Sequence, residues 1–121
     1  MKDKAEITEK VQLYFDSMYE SSPQKVKEVF HPHAKITGYM QEKLFEQSVD
    51  DFASFVAAQQ PSAKEKKEPK DLKILSIEIA GNTAVAIVRD KYIGLSFLDS
   101  LSFLKVKNKW VIYNKLFHVE A

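Results

Sequence analysis

The feature that most constrains the fold is the alternation of apolar and polar residues between residues 72 and 119. Alternation with a period of two is typical of half-buried β-strands. Gly81-Asn82 and Lys107-Asn108 interrupt it with residue pairs that suit two-residue hairpin turns, where positive φ is needed. The pattern predicts an antiparallel sheet of four strands: Leu72–Ala80, Thr83–Ile93, Leu95–Val106 and Lys109–Val119.

The first half of the chain has apolar residues at helical spacing instead. This spacing predicts a helix over Lys4–Tyr19, a short helix that starts at Ser22-Pro23, and a third helix capped by Ser48. Before the third helix, Lys35–Tyr39 and Lys43–Phe45 are predicted to form a small hairpin.

Two segments are predicted to be irregular. His31-Pro32-His33 should form a turn, because the residue before a proline avoids the helical region. Gln59–Lys70 should be a solvated loop, since it contains prolines and a run of charged residues. The length, with helices ahead of the sheet, predicts one α+β domain over residues 1–121.

Composition excludes several classes of function. The formal net charge of +1 argues against a nucleic-acid partner, which requires a concentrated basic surface. The chain has no cysteine, so disulfides, thiolate nucleophiles and cysteine metal sites are excluded. The N-terminal residues contain no apolar signal segment and no apolar run is long enough to span a bilayer, so we expect no membrane partner and a cytoplasmic location.

The hairpin turns also predict which side chains share a face of the sheet, because register determines facing. One face combines apolar residues with five polar ones, which are Asp90, Tyr92, Asp99, Asn114 and His118. A carboxylate that faces an apolar core is costly unless it is paired or hydrated. The polar set therefore predicts a lined cavity, or alternatively strand ends that are open to solvent.

The apolar residues predict a core and an uncovered surface. Residues predicted to lie in one core are Trp110, Ile112, Leu101, Ala86, Phe15 and Phe52. The outer face is predicted to carry Val85, Ile87, Leu98, Val111, Tyr113 and Phe117, and Lys115 is assigned to it too. Because helices cover only one face, we expect a homodimer through the outer sheet face.

Several segments in this order resemble a known superfamily. They are Tyr14 in the first helix, Phe30-His31-Pro32-His33-Ala34, Gly81-Asn82-Thr83-Ala84-Val85-Ala86, the segment from Phe97 to Lys105, and Trp110-Val111-Ile112-Tyr113-Asn114-Lys115. Together they resemble the nuclear transport factor 2-like superfamily, with its SnoaL-like and ketosteroid isomerase-like members, and more narrowly the putative lumazine-binding family. His33 departs from the pattern, which usually has Asp there.

The resemblance implies a cone-shaped α+β barrel with N-terminal helices packed on a curved, mainly antiparallel sheet, usually dimeric through that sheet. The superfamily includes ketosteroid isomerases, scytalone dehydratases, polyketide cyclases and plain binding modules, so the fold does not determine the function.

Asp99 is the main candidate for chemistry, with Tyr14 as hydrogen-bond donor and His118 as proton carrier. A carboxyl group in an apolar pocket can act as general acid or base. Alternatively, Asp99 has a structural role, bonded to a backbone N–H or paired with Lys or Arg. The residues expected to contact a ligand are Asp90, Tyr92, Asp99, Leu101, Asn114, Trp110, Tyr14 and Phe55.

A metal site is the weaker interpretation of the histidines. His31 and His33 point the same way in an extended segment, and with His118 they could form a three-histidine zinc site. A turn around Pro32 explains the first two more simply, so we predict no metal and no cofactor.

Three functions remain open at this stage. The leading prediction is a binding protein for a small apolar or aromatic ligand inside the cone. The second is an isomerase, dehydratase or cyclase that uses Asp99 with Tyr14 or His118. The third is a dimeric protein-interaction module whose interior is filled.

Overall fold

Both predicted hairpin turns are present in the computed structural model of the protein, which describes residues 2–120. Ala80 pairs with Thr83 across the first turn, and Val106 pairs with Lys109 across the second. Gly81 has a φ of 63°, which a residue with a side chain adopts only under strain. The register of the C-terminal hairpins at their turns is therefore the predicted one.

The chain contains three helices and six strands within the described residues. They are α1 (Lys2–Tyr19), α2 (Pro23–Val29), β1 (Phe30–Met40), β2 (Lys43–Ser48), α3 (Val49–Ala57), β3 (Leu72–Ala80), β4 (Thr83–Tyr92), β5 (Leu95–Val106) and β6 (Lys109–Glu120). As predicted, Ser48 caps α3 with its side chain, and Pro23 opens α2. Among these helices, none combines the length and the apolar character needed to cross a membrane.

The strands form one six-stranded sheet in the order β2-β1-β6-β5-β4-β3. The prediction of a four-stranded sheet with a separate hairpin was wrong, because β1 pairs in parallel with β6 and joins the two parts. All other neighbours are antiparallel. The sheet is open, with β2 and β3 at its edges, so the α+β cone fold is confirmed but the barrel does not close.

The predicted turn around Pro32 was also wrong, because this residue lies within β1. The pairing of β1 with β6 shifts between Phe30 and Lys35. A proline cannot donate to a strand ladder, and this irregular stretch is where no donor is required. The chain therefore stays extended through Pro32.

A close contact between β1 and β6 depends on Gly38. This residue pairs with Phe117 across the parallel strands. A Cβ at position 38 would collide with the carbonyl oxygen of Phe117 and lie 2.6 Å from Cδ1 of its ring. Gly38 therefore allows the Phe117 ring to lie where it does, against β1.

The helices pack on the inner face of the sheet and enclose the core. Trp110 is fully buried at the closed end of the cone, where its indole Nε1 donates to Asp3 Oδ1 at 3.1 Å. Lys105 donates to the same oxygen, so this carboxylate joins α1 to the sheet. Phe15 is buried too, but it stacks on Tyr19 outside the main cluster. The other predicted core residues lie in that cluster: Trp110, Ile112, Leu101, Ala86 and Phe52.

The connection between α3 and β3 is held to the end of α1, although it was predicted to be a solvated loop. The hydroxyl of Tyr19 donates to the carbonyl of Glu68 at 2.6 Å, and the backbone N–H of Lys64 donates to the carbonyl of Tyr19 at 3.0 Å. Ser21 Oγ donates to the carbonyl of Gln59 at 2.6 Å. These bonds make the connection a wall beside the open end of the cone.

Replacing Trp110 by Ala should lower the free energy of unfolding by about 3–5 kcal/mol, because it leaves a cavity in the core and removes the donor to Asp3. Urea denaturation measures this loss. Leu44→Ala is the control, since Leu44 is 66% exposed, and it should change stability by less than about 0.5 kcal/mol. A loss below about 1 kcal/mol for Trp110→Ala would contradict this description of the core.

Candidate functional site

Two carboxyl groups lie side by side on the inner face of the sheet. Asp90 in β4 and Asp99 in β5 are each 1% exposed. Asp90 pairs with Phe97, and Asp99 pairs with Val88, so the two aspartates are diagonal neighbours on adjacent strands. From α1, the fully buried Tyr14 donates its hydroxyl proton to Asp99 Oδ2 at 2.6 Å.

Most of the other polar atoms in this cluster have no protein partner. Asp99 Oδ1, both carboxyl oxygens of Asp90, and the hydroxyl of Tyr92 are buried without a hydrogen bond within the described chain. Unpartnered polar atoms in an apolar interior are costly, and ionised ones far more so. The cluster therefore needs a proton, a ligand or water to satisfy it.

A shared proton satisfies part of this requirement. Burial, followed by the negative charge of Asp99, raises the pKa of Asp90 to about 9. Asp90 is therefore protonated near neutral pH and becomes a donor, and the Asp99 carboxyl lies within reach of that hydrogen bond. Burial and the same Asp99 charge hold the pKa of Tyr14 well above 10, so its hydroxyl also remains a donor.

Lys115 in β6 supplies the opposite charge, and sequence reasoning missed it. Its side chain is buried, with the whole residue 5% exposed. The Nζ atom lies 4.9 Å from the ring centroid of Tyr14, 4.8 Å from that of Phe52 and 5.9 Å from that of Phe117. Aromatic faces attract cations in this way. No carboxylate oxygen among residues 2–120 lies within 4.0 Å of Nζ.

A β-bulge explains why Lys115 was assigned to the wrong face. Ser102 pairs with Asn114, but the next residue, Phe103, pairs with Ile112, so Tyr113 is an extra residue in β6. One extra residue reverses the facing of everything beyond it. Lys115 and Phe117 therefore face inward, opposite Leu101 and Asp99.

The predicted pocket positions of Asn114 and His118 were wrong for the same reason. Both are exposed and lie on the outer face, together with Leu116. His118 is consequently separated from Asp99 by the sheet. A second bulge, between Ile74 and Ser76 in β3, leaves Ile74 packed against the core and Leu75 40% exposed.

A cavity of about 240 Å³ opens at the wide end of the cone. Its mouth lies between the β1–β2 hairpin, with Met40 and Phe45, and the β4–β5 turn, with Ile93. Its polar side chains are Tyr92, Lys115 and Gln47, and the rest of its lining is apolar: Ile36, Met40, Phe45, Phe52, Phe55, Ile93, Phe97 and Phe117. The cavity is therefore an aromatic chamber with few polar groups.

Apart from Asn114, the predicted ligand contacts divide into three groups. Tyr92 and Phe55 line the cavity and pack edge to face, with their ring centroids 6.4 Å apart. The cluster of Asp90, Asp99 and Tyr14 lies deeper, next to Tyr92 and Lys115 along the inner face of the sheet. Leu101 and Trp110 are fully buried in the closed core and line no part of this cavity, contrary to prediction.

A second, larger cavity lies on the other side of Tyr92. Its volume is about 850 Å³, and it is bounded by the end of α1, the connection between α3 and β3, and the β4–β5 turn. Tyr92 and Ile93 line both cavities and therefore form the wall between them. Its charged groups include the ion pair of Lys91 with Asp71.

The histidines do not assemble a metal site in the described part of the chain. The rings of His31 and His33 are 5.3 Å apart, and His31 also packs on Tyr113 at 4.9 Å. No cluster of three metal-ligating side chains occurs within residues 2–120.

The profile of the putative lumazine-binding family matches residues 2–118. The chain belongs to this family. This family member is also similar to the aldolase FrzH from a Cladobotryum species, at 28% identity over 109 residues that cover 87% of this chain and 82% of that protein.

Solved structures share the fold. A nuclear transport factor 2-like protein of unknown function from Silicibacter pomeroyi matches this family member with a TM-score of 0.89 at 22% identity, over 98% of this chain and 97% of the other. Another from Methylobacillus flagellatus matches with a TM-score of 0.87 at 28% identity, over 100% and 94% of the two chains. The resemblance seen in the sequence is therefore confirmed.

Replacing Asp90 by Asn should make stability less dependent on pH. Folded Asp90 holds its proton up to about pH 9, whereas an unfolded aspartate titrates near 3.9, so unfolding releases a proton between these values. The free energy of unfolding of the native protein should therefore fall as pH rises through this window. Relative to the native protein, Asp90→Asn should gain more than about 2 kcal/mol between pH 5 and pH 8 in urea melts.

The control for this measurement is Asp50→Asn, because the side chain of Asp50 is 88% exposed. Its stability should follow that of the native protein at each pH. Parallel curves for Asp90→Asn and the native protein would contradict the raised pKa of Asp90.

Proposed function

We propose that the protein binds a small, planar, largely apolar molecule in the aromatic cavity at the wide end of the cone. The observation that carries this proposal is a chamber of about 240 Å³ with aromatic walls and few polar side chains. Ligand pockets are mainly apolar, with a small number of polar groups that orient the ligand. Ligand pockets usually have volumes of about 300–1,000 Å³, and this cavity is smaller. Its size therefore suits a ligand of one ring or two fused rings.

Lys115 and Tyr92 are the groups that would orient such a ligand. The Tyr92 hydroxyl is buried without a partner, and the Lys115 amine has no ion pair in the described chain. A carbonyl or ring nitrogen at the edge of the ligand could accept from both. The family's description as putative lumazine-binding supports a planar ring ligand that has carbonyl groups and ring nitrogens at its edge.

Acid–base chemistry on the bound molecule is a second candidate, and the unpartnered carboxyl oxygens favour it. Asp90 carries a transferable proton near neutral pH, while Asp99 accepts a hydrogen bond from Tyr14. A protonated carboxyl group can act as a general acid towards a nearby carbonyl. The similarity to an aldolase is consistent with acid–base chemistry next to a carbonyl group. His118 has no part in this proposal, because it lies on the outer face.

We also propose that two copies associate through the outer face of the sheet. Helices cover only the inner face, and the outer face carries a shallow groove lined by Val85, Leu104 and Tyr113. Val85 is 39% exposed there. A two-fold dimer would bury the same patch on both copies, as the resemblance to the superfamily implies.

The binding proposal predicts a measurable affinity for planar one-ring and two-ring compounds, lumazine among them, by isothermal titration calorimetry. Phe55→Ala should weaken the binding of any such ligand about tenfold, because it removes an aromatic wall of the cavity. Tyr39→Ala is the control, since Tyr39 is 63% exposed and outside the lining, and its affinity should be unchanged. Equal affinities of the two variants would place the ligand elsewhere.

The dimer proposal predicts twice the monomer mass in sedimentation velocity at micromolar protein. Val85→Glu should give a monomer, because it puts a charge in the apolar patch. Leu44→Glu, at the far edge of the sheet, should remain dimeric. A native protein that sediments as a monomer would contradict the proposal.

A further inference from the structure

Lys115 differs from the half-buried Lys25 and Lys105 in how its charge is compensated. Lys105 is paired with Asp3 at 3.0 Å, and Lys25 is paired with Glu20 at 2.7 Å. Lys115 is more deeply buried than either, yet it lies among aromatic rings without a carboxylate within 4.0 Å in residues 2–120. A buried lysine with a purely structural role would be better stabilised by a direct ion pair with a carboxylate.

The position of Lys115 suits a reaction at its amine. The side chain lines the cavity, so a ligand inside the chamber contacts it. A lysine amine that is desolvated in a hydrophobic pocket is an effective nucleophile towards carbonyl compounds. Three aromatic rings, with centroids 4.8–5.9 Å from Nζ, replace part of the water that would otherwise surround the amine.

We propose that Lys115 is a nucleophile that forms a protonated imine with a small planar aldehyde or ketone in the cavity. This inference rests on the proposed function and specifies both the ligand class and the reacting atom. Lys115 Nζ bonds to the carbonyl carbon, and the carbonyl C–O bond then breaks. The ammonium and the carbonyl compound together give an iminium and one molecule of water, so atoms and charge balance without a co-reactant.

The neighbouring carboxyl pair can carry the protons that this sequence moves. Nζ must lose a proton before it attacks, and the leaving oxygen must gain protons to depart as water. Asp99 is a diagonal neighbour of Lys115 across β5 and β6, and Asp90 lies beyond it on β4. Nζ loses two protons in all, and the oxygen gains two. Asp99 accepts the first proton from Nζ, and the protonated Asp90 donates to the oxygen. Asp90 then accepts the second proton from the nitrogen, and Asp99 passes its proton to the oxygen, which departs as water and leaves both carboxyl groups as they began. The positive charge stays at position 115, beside the aromatic rings.

Trapping of the imine tests this inference. The native protein is incubated near neutral pH with benzaldehyde and sodium cyanoborohydride, which reduces an imine to a stable benzyl amine. Peptide mapping by mass spectrometry then locates the adduct. We expect one benzyl group on Lys115 before any surface lysine is modified. Lys115→Arg keeps the charge and should lose this adduct completely, while Lys105→Arg should retain it. Melting temperatures show that each variant is folded.

Benzyl alcohol separates this inference from the proposed function, because it has the same ring but cannot form an imine. If benzyl alcohol raises the melting temperature of the native protein and slows the modification of Lys115, the imine at Lys115 and the proposed binding function are both supported. If it binds but no adduct forms on Lys115, the imine is overturned and the binding function stands. If neither compound binds and no adduct forms, both are overturned. Equal labelling of Lys115 and surface lysines also overturns the imine.

Discussion

The cost of burying two neighbouring carboxyl groups is the constraint on which the interior of this protein depends. Asp90 and Asp99 are 1% exposed, on adjacent strands that face an apolar core. Two ionised carboxylates could not remain there without water. The proton on Asp90, the hydroxyl of Tyr14 and the ammonium of Lys115 lower this cost, although several carboxyl oxygens still have no partner within the described residues. With Asp90 protonated, the charges of Asp99 and Lys115 cancel.

The same polar cluster connects fold and function. The bond from Tyr14 to Asp99 joins α1 to the middle of the sheet, as the contact of Asp3 with Trp110 joins it at the closed end. Between the cluster and the mouth of the cone, Tyr92 and Lys115 line the cavity. A buried polar network that is only partly satisfied is unusual in a purely structural core and is typical of a binding or catalytic site.

The sequence was informative where structure is determined locally. The turns at Gly81-Asn82 and Lys107-Asn108 set the register close to them, so the inward facing of Asp90 and Asp99 could be predicted. The bulge at Tyr113 could not be predicted, because beyond it both faces of the strand mix polar and apolar residues. A lysine in such a strand is normally assigned to the solvent-exposed face. Lys115 was therefore missed, and Asn114 was predicted in its place.

Long-range pairing was equally hidden. The parallel contact of β1 with β6 joins segments far apart in sequence, and no local pattern records it. Gly38 indicates the close contact between β1 and β6 only once the position of Phe117 is known.

The protonation state of the carboxyl pair is the most direct test of this account. Carbon-13 NMR of the native protein, labelled at its aspartate carboxyl carbons, can be followed from about pH 4 to pH 10, with Asp90→Asn used to assign the signal. We expect one carboxyl signal to remain at its protonated position at neutral pH, to move only as the pH approaches about 9, and to be absent from the variant. If every aspartate signal completes its titration below about pH 5, the shared proton at the centre of the site does not exist.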